Sequence, residues 1–134
     1  MALVRNTESM PNSFALFLLV GKQQLMLMTC QSMEMDMIRH TVVFRLKHPK
    51  GSDAEAAFLK VADVLAGIPE VQKFEKLRQV SPKNDYAFGF SFEFADQAAY
   101  DHYNNHADHV AFVRDRWIPE VAAFMEIDYV ALQP

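Results

Sequence analysis

The fold is decided by residues 86–94, which read Tyr-Ala-Phe-Gly-Phe-Ser-Phe-Glu-Phe. Aromatic side chains occupy every second position, and the positions between them are mostly small. Because successive side chains of a β-strand point to opposite faces of a sheet, this alternation predicts a strand with one aromatic face. The aromatic face indicates a buried core, and the small face indicates that a second sheet can approach closely.

A second strand and a helix are predicted upstream of this segment. Residues 38–46 alternate in the same way, with His40 on the apolar face. Ser52 and Glu55 then form the pattern of a capping box, in which both side chains satisfy free amides at a helix start. Apolar residues follow at helical spacing, and Gly67 and Pro69 end the helix: the apolar set is Phe58, Val61, Leu65 and Ile68.

The remaining elements complete the order βαββαβ. Residues 71–80 are ambiguous, because their apolar positions recur every three residues, which is closer to helical spacing. We predict a strand with a bulge here, because the segment has no helix cap and the topology needs a strand. Asp96 caps a short predicted helix that runs to about residue 103. A further helix is expected over residues 108–121, and residues 125–132 form the last strand. The inward side chains expected on that further helix are Val110, Val113 and Trp117.

This order predicts an α+β protein of the ferredoxin-like plan, with four antiparallel strands and helices on one face of the sheet. The opposite face would carry small and apolar side chains such as Thr41, Val43 and Gly89. A homodimer that presses two sheets together into an α/β barrel would cover that face.

Composition limits the functional classes. The chain has 134 residues, of which 51% are hydrophobic, and a formal net charge of −4. This length fits one domain, and an acidic chain without a cluster of lysine and arginine is not a general nucleic-acid binder. No apolar run is long enough to span a membrane. We therefore expect neither nucleic acid nor a membrane as a partner.

The first 36 residues differ from the rest. Seven of the eight methionines lie at or before Met37, and the only cysteine is Cys30. We expect a domain over residues 37–134, preceded by a leader over residues 1–36 that is disordered or results from an over-long start. An added helix or strand and an export signal are the alternatives for this leader. Without an export signal, the protein is expected in the cytoplasm.

Candidate chemistry is concentrated in residues 100–109, which hold three of the five histidines. Imidazole titrates near neutral pH and can act as base, acid or metal ligand. His106 and His109 would share one face of a helix and could bind zinc together with an aspartate, Asp101, Asp108 or Asp128. Their spacing lacks the His-Glu-x-x-His form, and no phosphate loop or nucleophile elbow is present. We therefore predict no metal and no cofactor.

His40 is a separate candidate, because it lies in the middle of a strand on the apolar face. A buried imidazole without a polar partner is costly. We expect the histidine cluster to supply that partner.

At this cluster the sequence resembles the stress-responsive A/B barrel (Dabb) family. The resemblance covers nearly all of residues 37–134 and none of the leader. It implies a dimeric α+β barrel, a stress-associated role without assigned catalysis, and binding of a small apolar ligand. The segments that carry it are residues 37–44, 67–71, 92–94, 103–112 and 127–129.

The family also has an enzymatic member, the plant polyketide cyclase that forms olivetolic acid. The resemblance implies that its catalytic tyrosine and histidine fall on Tyr103 and His109, the carboxylate behind that histidine on Asp128, and its first-strand histidine on His40. In that mechanism His109 removes a proton next to a carbonyl, and Tyr103 donates a hydrogen bond to the developing oxyanion. The alternative is that His109 and Asp128 form a purely structural pair.

The same resemblance implies a ligand pocket beside these residues. We predict that its lining includes Phe58, Val61, Phe90 and His106. A cofactor-free cyclase or lyase with a polyketide-like substrate is the alternative to a protein that only binds a small apolar ligand.

Overall fold

The computed structural model describes residues 37–133, which form one four-stranded sheet with helices packed on its aromatic face. Neighbouring strands are antiparallel and follow the spatial order β2-β3-β1-β4. The predicted ferredoxin-like α+β fold is therefore confirmed. The strands are β1 (Ile38–Leu46), β2 (Gln72–Arg78), β3 (Phe88–Phe94) and β4 (Val121–Tyr129). The predictions for residues 1–36 lie outside the described residues.

Two groups of helices connect the strands. Each group contains one short turn that is not α-helical, and this turn affects which side chains face the sheet. The first group is α1 (Asp53–Val61) followed by a 3₁₀ turn (Ala62–Gly67). The second is α2 (Gln97–Asn105), α3 (Ala107–Phe112), a π-helical turn (Val113–Trp117) and α4 (Ile118–Glu120).

The predicted caps are present at both helix starts. The Ser52 hydroxyl accepts a hydrogen bond from the Glu55 amide at 3.2 Å. The Glu55 carboxylate accepts one from the Gly51 amide at 3.2 Å, one residue before the amide that a capping box uses. At the start of α2, Asp96 accepts a hydrogen bond from the Ala99 amide at 2.8 Å. These contacts satisfy amides that a helix start leaves free.

The core is aromatic, as the alternation in residues 86–94 predicted. Phe44 on β1 is fully buried and its ring lies 4.7 Å from that of Phe90 and 5.8 Å from that of Phe58. Every phenylalanine of β3 is at most 4% exposed. Phe74 on β2 also packs on this face of the sheet, with its ring 4.8 Å from that of Phe92.

The bulge predicted in β2 is also present. The pairing register with β3 shifts between Gln72 and Glu75, and Lys73 has a φ of +48°. An extra residue in one strand of an antiparallel pair explains why the apolar positions of this segment depart from strict alternation.

Three details of the predicted elements are wrong. β4 begins at Val121, before the expected residue 125, and ends at Tyr129. Val110 is 47% exposed, because Phe112 takes the buried position on α3. Val61 is 40% exposed, whereas the next residue, Ala62, is fully buried. In the 3₁₀ turn residues three apart share a face, so the buried stripe runs through Ala62 and not through Val61.

The other face of the sheet carries no helix among the described residues. Strand alternation places Val43, Leu77, Met125 and Ile127 on this face. Leu77 and Met125 are each 47% exposed, and Ile127 is 39% exposed. We call this surface the open sheet face. No helix in residues 37–133 is long and apolar enough to cross a membrane.

Candidate functional site

A cavity of about 380 Å³ lies between the centre of the sheet and the second group of helices. β1, β3 and β4 form its floor, and the end of α2, α3 and the π-helical turn form its opposite wall. Most of the lining is aromatic or aliphatic, and the polar groups come from a few positions. These polar lining residues are His40, Tyr103, Asn104, His109 and Glu126.

The tautomer of His109 is set by the backbone. Its Nδ1 lies 3.1 Å from the carbonyl oxygen of Asn104. Because a carbonyl oxygen can only accept, Nδ1 carries the proton and donates it, which leaves Nε2 as an unprotonated, basic nitrogen. Burial lowers the pKa of His109 below its ordinary value of 6.5, against the raising influence of the Asn104 carbonyl. The neutral, basic form is therefore the one present at neutral pH.

Tyr103 lies beside this base. Its ring centroid is 4.3 Å from that of His109, and the residue is 2% exposed. Burial raises the pKa of Tyr103 well above its ordinary value of 10.0. The hydroxyl therefore keeps its proton at neutral pH and can donate a hydrogen bond to a ligand in the cavity.

His40 is held by Asp128 on β4 and by Tyr100 on α2. Its Nδ1 lies 2.6 Å from Oδ1 of Asp128 and 2.9 Å from the Tyr100 hydroxyl, and that hydroxyl donates to Oδ2 of Asp128 at 3.0 Å. The predicted cluster over residues 100–109 thus supplies one partner of His40, which is Tyr100 and not one of the cluster's histidines. The carboxylate accepts a hydrogen bond from Nδ1–H, so in the neutral imidazole of His40 it is Nε2 that carries no proton.

The expected bond between Asp128 and His109 is therefore not formed. His40 and Asp128 are directly paired residues of β1 and β4, so their side chains lie on the same side of the sheet. His109 is on α3, where the Asn104 carbonyl already occupies its Nδ1. Strand register thus assigns the carboxylate to His40.

Of the predicted lining residues, only Phe90 borders the cavity. Phe58 is fully buried in the core, with its ring 5.6 Å from that of Phe112, and Val61 faces outward. His106 caps α3, since its Nδ1 accepts a hydrogen bond from the Asp108 amide at 3.1 Å. The cavity therefore has no lining residue from α1, the helix that holds Phe58 and Val61.

Three residues of the site were missed by sequence reasoning. Tyr100 could have been found, because it precedes Tyr103 by one helical turn and so lies on the same face of α2. Asn104 contacts His109 through its backbone carbonyl, and a pattern of side chains does not predict a backbone contact of this kind. Glu126 lies two positions before Asp128, so the alternation of the predicted strand over residues 125–132 already placed both carboxylates on one face.

The described residues form no metal centre, and a second groove lies apart from the predicted site. In residues 37–133 no group of three histidine, cysteine, aspartate or glutamate side chains is placed to hold a metal ion. A larger, more open groove of about 610 Å³ lies where β1 ends and β3 begins, and it contains none of the predicted site residues.

Comparison with solved structures relates the fold to three proteins. A Dabb family protein with a ferredoxin-like fold from Mesorhizobium loti is 65% identical, with a TM-score of 0.72, over 72% of this chain and 98% of that chain. A dimeric protein of unknown function from Bacteroides fragilis is 19% identical, with a TM-score of 0.57, over 72% and 97% of the two chains. The hydroxynitrile lyase from Passiflora edulis is 12% identical, with a TM-score of 0.65, over 75% and 97%. The last two show the fold alone.

No functionally curated protein matches the chain by sequence. The model of the Stress Responsive A/B Barrel Domain matches residues 38–131, which span all four strands and all the helices described above. Together with the 65% identity to the Mesorhizobium loti protein, this match shows that the chain belongs to the Dabb family.

Proposed function

We propose that this protein is a homodimer that binds a small, largely apolar molecule in the cavity beside His109. The observation that carries the proposal is the cavity itself. A volume of about 380 Å³ falls in the range of small-molecule sites, and such sites combine apolar walls with a few convergent polar groups. The polar groups of Tyr103, His109 and His40 lie among aromatic rings here, and this arrangement suits an apolar molecule that carries one polar function.

Cofactor-free proton transfer is the second candidate function, and the tautomer of His109 favours it. With Nδ1 donating to Asn104, Nε2 can take a proton from a carbon next to a carbonyl group. The electrons of that C–H bond then form an enolate, whose oxygen can accept a hydrogen bond from Tyr103. The Passiflora edulis protein, which shares the fold, is a hydroxynitrile lyase and thus a precedent for catalysis on this scaffold.

Proton exchange tests both functions without knowledge of the natural ligand. The full-length protein is mixed in D₂O with 4-phenylbutan-2-one, a neutral molecule with an apolar ring and an activated C–H bond. Proton NMR then follows both the binding shifts of the ketone and the loss of its α-protons. We expect binding and exchange above the buffer rate. Binding without exchange would reject the catalytic function, and the absence of both would reject the cavity as a ligand site of this class.

The exchange rate should depend on the protonation of His109. The basic form is the active one, and burial lowers the pKa of this imidazole below 6.5. The rate should therefore fall to half its maximum at a pH below 6.5, as His109 becomes protonated, and should approach its plateau within about one pH unit above that midpoint. Rates measured from about pH 4.5 to about pH 8, after subtraction of the buffer rate, check this. A midpoint above pH 6.5 would contradict the assignment of the base.

The open sheet face supports the homodimer. Three apolar side chains on this face are each more than one third exposed: Leu77, Met125 and Ile127. Contiguous apolar patches of this kind mark contact surfaces. The Bacteroides fragilis protein, which shares the fold, is dimeric.

Replacing Ile127 with Glu should separate the subunits. The substitution places a charge in an apolar interface, and we expect dimer dissociation to become at least about 100-fold more favourable, which corresponds to about 2.7 kcal/mol. Sedimentation should show a change from about twice the chain mass to 15.3 kDa. Val80→Glu is the matched control, because Val80 is 84% exposed on a loop outside the sheet. Equal behaviour of the two variants would refute this interface.

A further inference from the structure

Glu126 occupies a position in the cavity that the proposed chemistry does not use. It is paired with Val42 in the register of β4 with β1, so its side chain is on the cavity side of the sheet, next to Asp128. It lines the cavity together with His40 and His109. Because β4 is the edge strand, this carboxylate lies where the cavity opens toward solvent.

Nothing in the described lining neutralises this carboxylate. The residues of 37–133 that line the cavity include no lysine and no arginine. The other acidic group nearby, Asp128, is bonded to His40 at 2.6 Å and does not line the cavity. Glu126 is therefore the only carboxylate among the described residues that line the cavity, and it makes the field there negative.

His109 does not reverse this sign at neutral pH. Burial lowers its pKa, and among the opposing influences is the negative charge of Glu126, which therefore reaches the base across the cavity. A charge at the mouth of a cleft with apolar walls acts on the interior more strongly than it would through water, because the walls screen it less. A second negative charge brought into this space would be repelled.

We propose that Glu126 makes the cavity select its ligands by charge, so that neutral carbonyl compounds are accepted and carboxylates of the same shape are rejected. This inference rests on the proposed ligand-binding function and narrows the ligand to a class. A neutral aldehyde, ketone or ester fits the class, whereas a free acid or a phosphorylated molecule does not.

Two isosteric probes test the selection. Both probes contain the same phenylethyl group, which carries a methyl ketone in 4-phenylbutan-2-one and a carboxylate in 3-phenylpropanoate. Their dissociation constants for the full-length protein are measured by NMR titration at pH 7.5. We expect the ketone to bind at least tenfold more tightly than the carboxylate. Glu126→Gln should reduce this ratio at least fivefold, mainly by improving the affinity of the carboxylate.

Asp85→Asn is the matched control. It removes one negative charge from the exposed loop before β3, outside the lining of the cavity, and should leave the ratio unchanged. Thermal melting of both variants establishes that they are folded. The inference is overturned if the wild-type protein binds the two probes equally, or if Glu126→Gln and Asp85→Asn change the ratio to the same extent. If neither probe binds, the ligand-binding function fails first and this inference fails with it.

Discussion

Replacing His109 with Gln should lower the rate of α-proton exchange by about 100- to 10,000-fold, the range that a positioned general base supplies. Glutamine keeps a polar side chain of similar length and can still bond the Asn104 carbonyl, but it has no nitrogen of useful basicity. Tyr103 would remain able to donate a hydrogen bond, so ligand binding should change far less than turnover. Exchange rates and ketone affinity, both measured by NMR, separate these two effects.

His102→Gln serves as the control for this variant. His102 is on the preceding helix, its side chain is 74% exposed, and it does not line the cavity. We expect it to exchange α-protons at the wild-type rate. A similar loss in both variants would mean that the effect comes from the fold and not from the base. An unchanged rate in His109→Gln, with the protein folded, would remove His109 from the mechanism.

Replacing Phe44 with Ala should lower the free energy of unfolding by about 3–5 kcal/mol. Phe44 is fully buried, and its ring contacts those of Phe58, Phe90 and Trp117. Removing the ring leaves a cavity where β1 and α1 meet, and the rigid aromatic neighbours can close it only in part. Urea unfolding of the variant, compared at equal protein concentration with the wild type, measures the difference.

A second phenylalanine calibrates this measurement. Phe124 on β4 is 51% exposed, so Phe124→Ala removes less buried surface and should cost well under half as much. If both substitutions had the same effect, the layer between β1 and α1 would not be the centre of the core.

The strand alternation was sufficient to predict the fold. A period of two in residues 38–46 and 86–94 can be buried only by strands that share a covered face, and Ser52 and Asp96 mark helix starts through local hydrogen bonds. These signals depend on residues that are close together in the sequence, so they can be recognised without the tertiary structure. Residues 71–80 were ambiguous from the sequence, because an inserted residue shifts the alternation of its strand toward a three-residue spacing that also fits a helix.

The candidate site was predicted in part. His40, Tyr103 and His109 were named from residue type and resemblance, and the structure brings all three to one cavity. The partner of each histidine was not predictable. His40 binds Asp128, 88 residues away, whereas His109 binds a backbone carbonyl in the preceding turn.

By itself, then, the sequence determined which faces of the strands are apolar, where the first two helices begin and which chemical groups are at hand, since these depend on neighbouring residues only. The tertiary structure alone decided which carboxylate meets which imidazole and that Glu126 borders the cavity. Those contacts depend on the register between β1 and β4, and a shift of one residue in that register would turn every side chain of β4 to the opposite face.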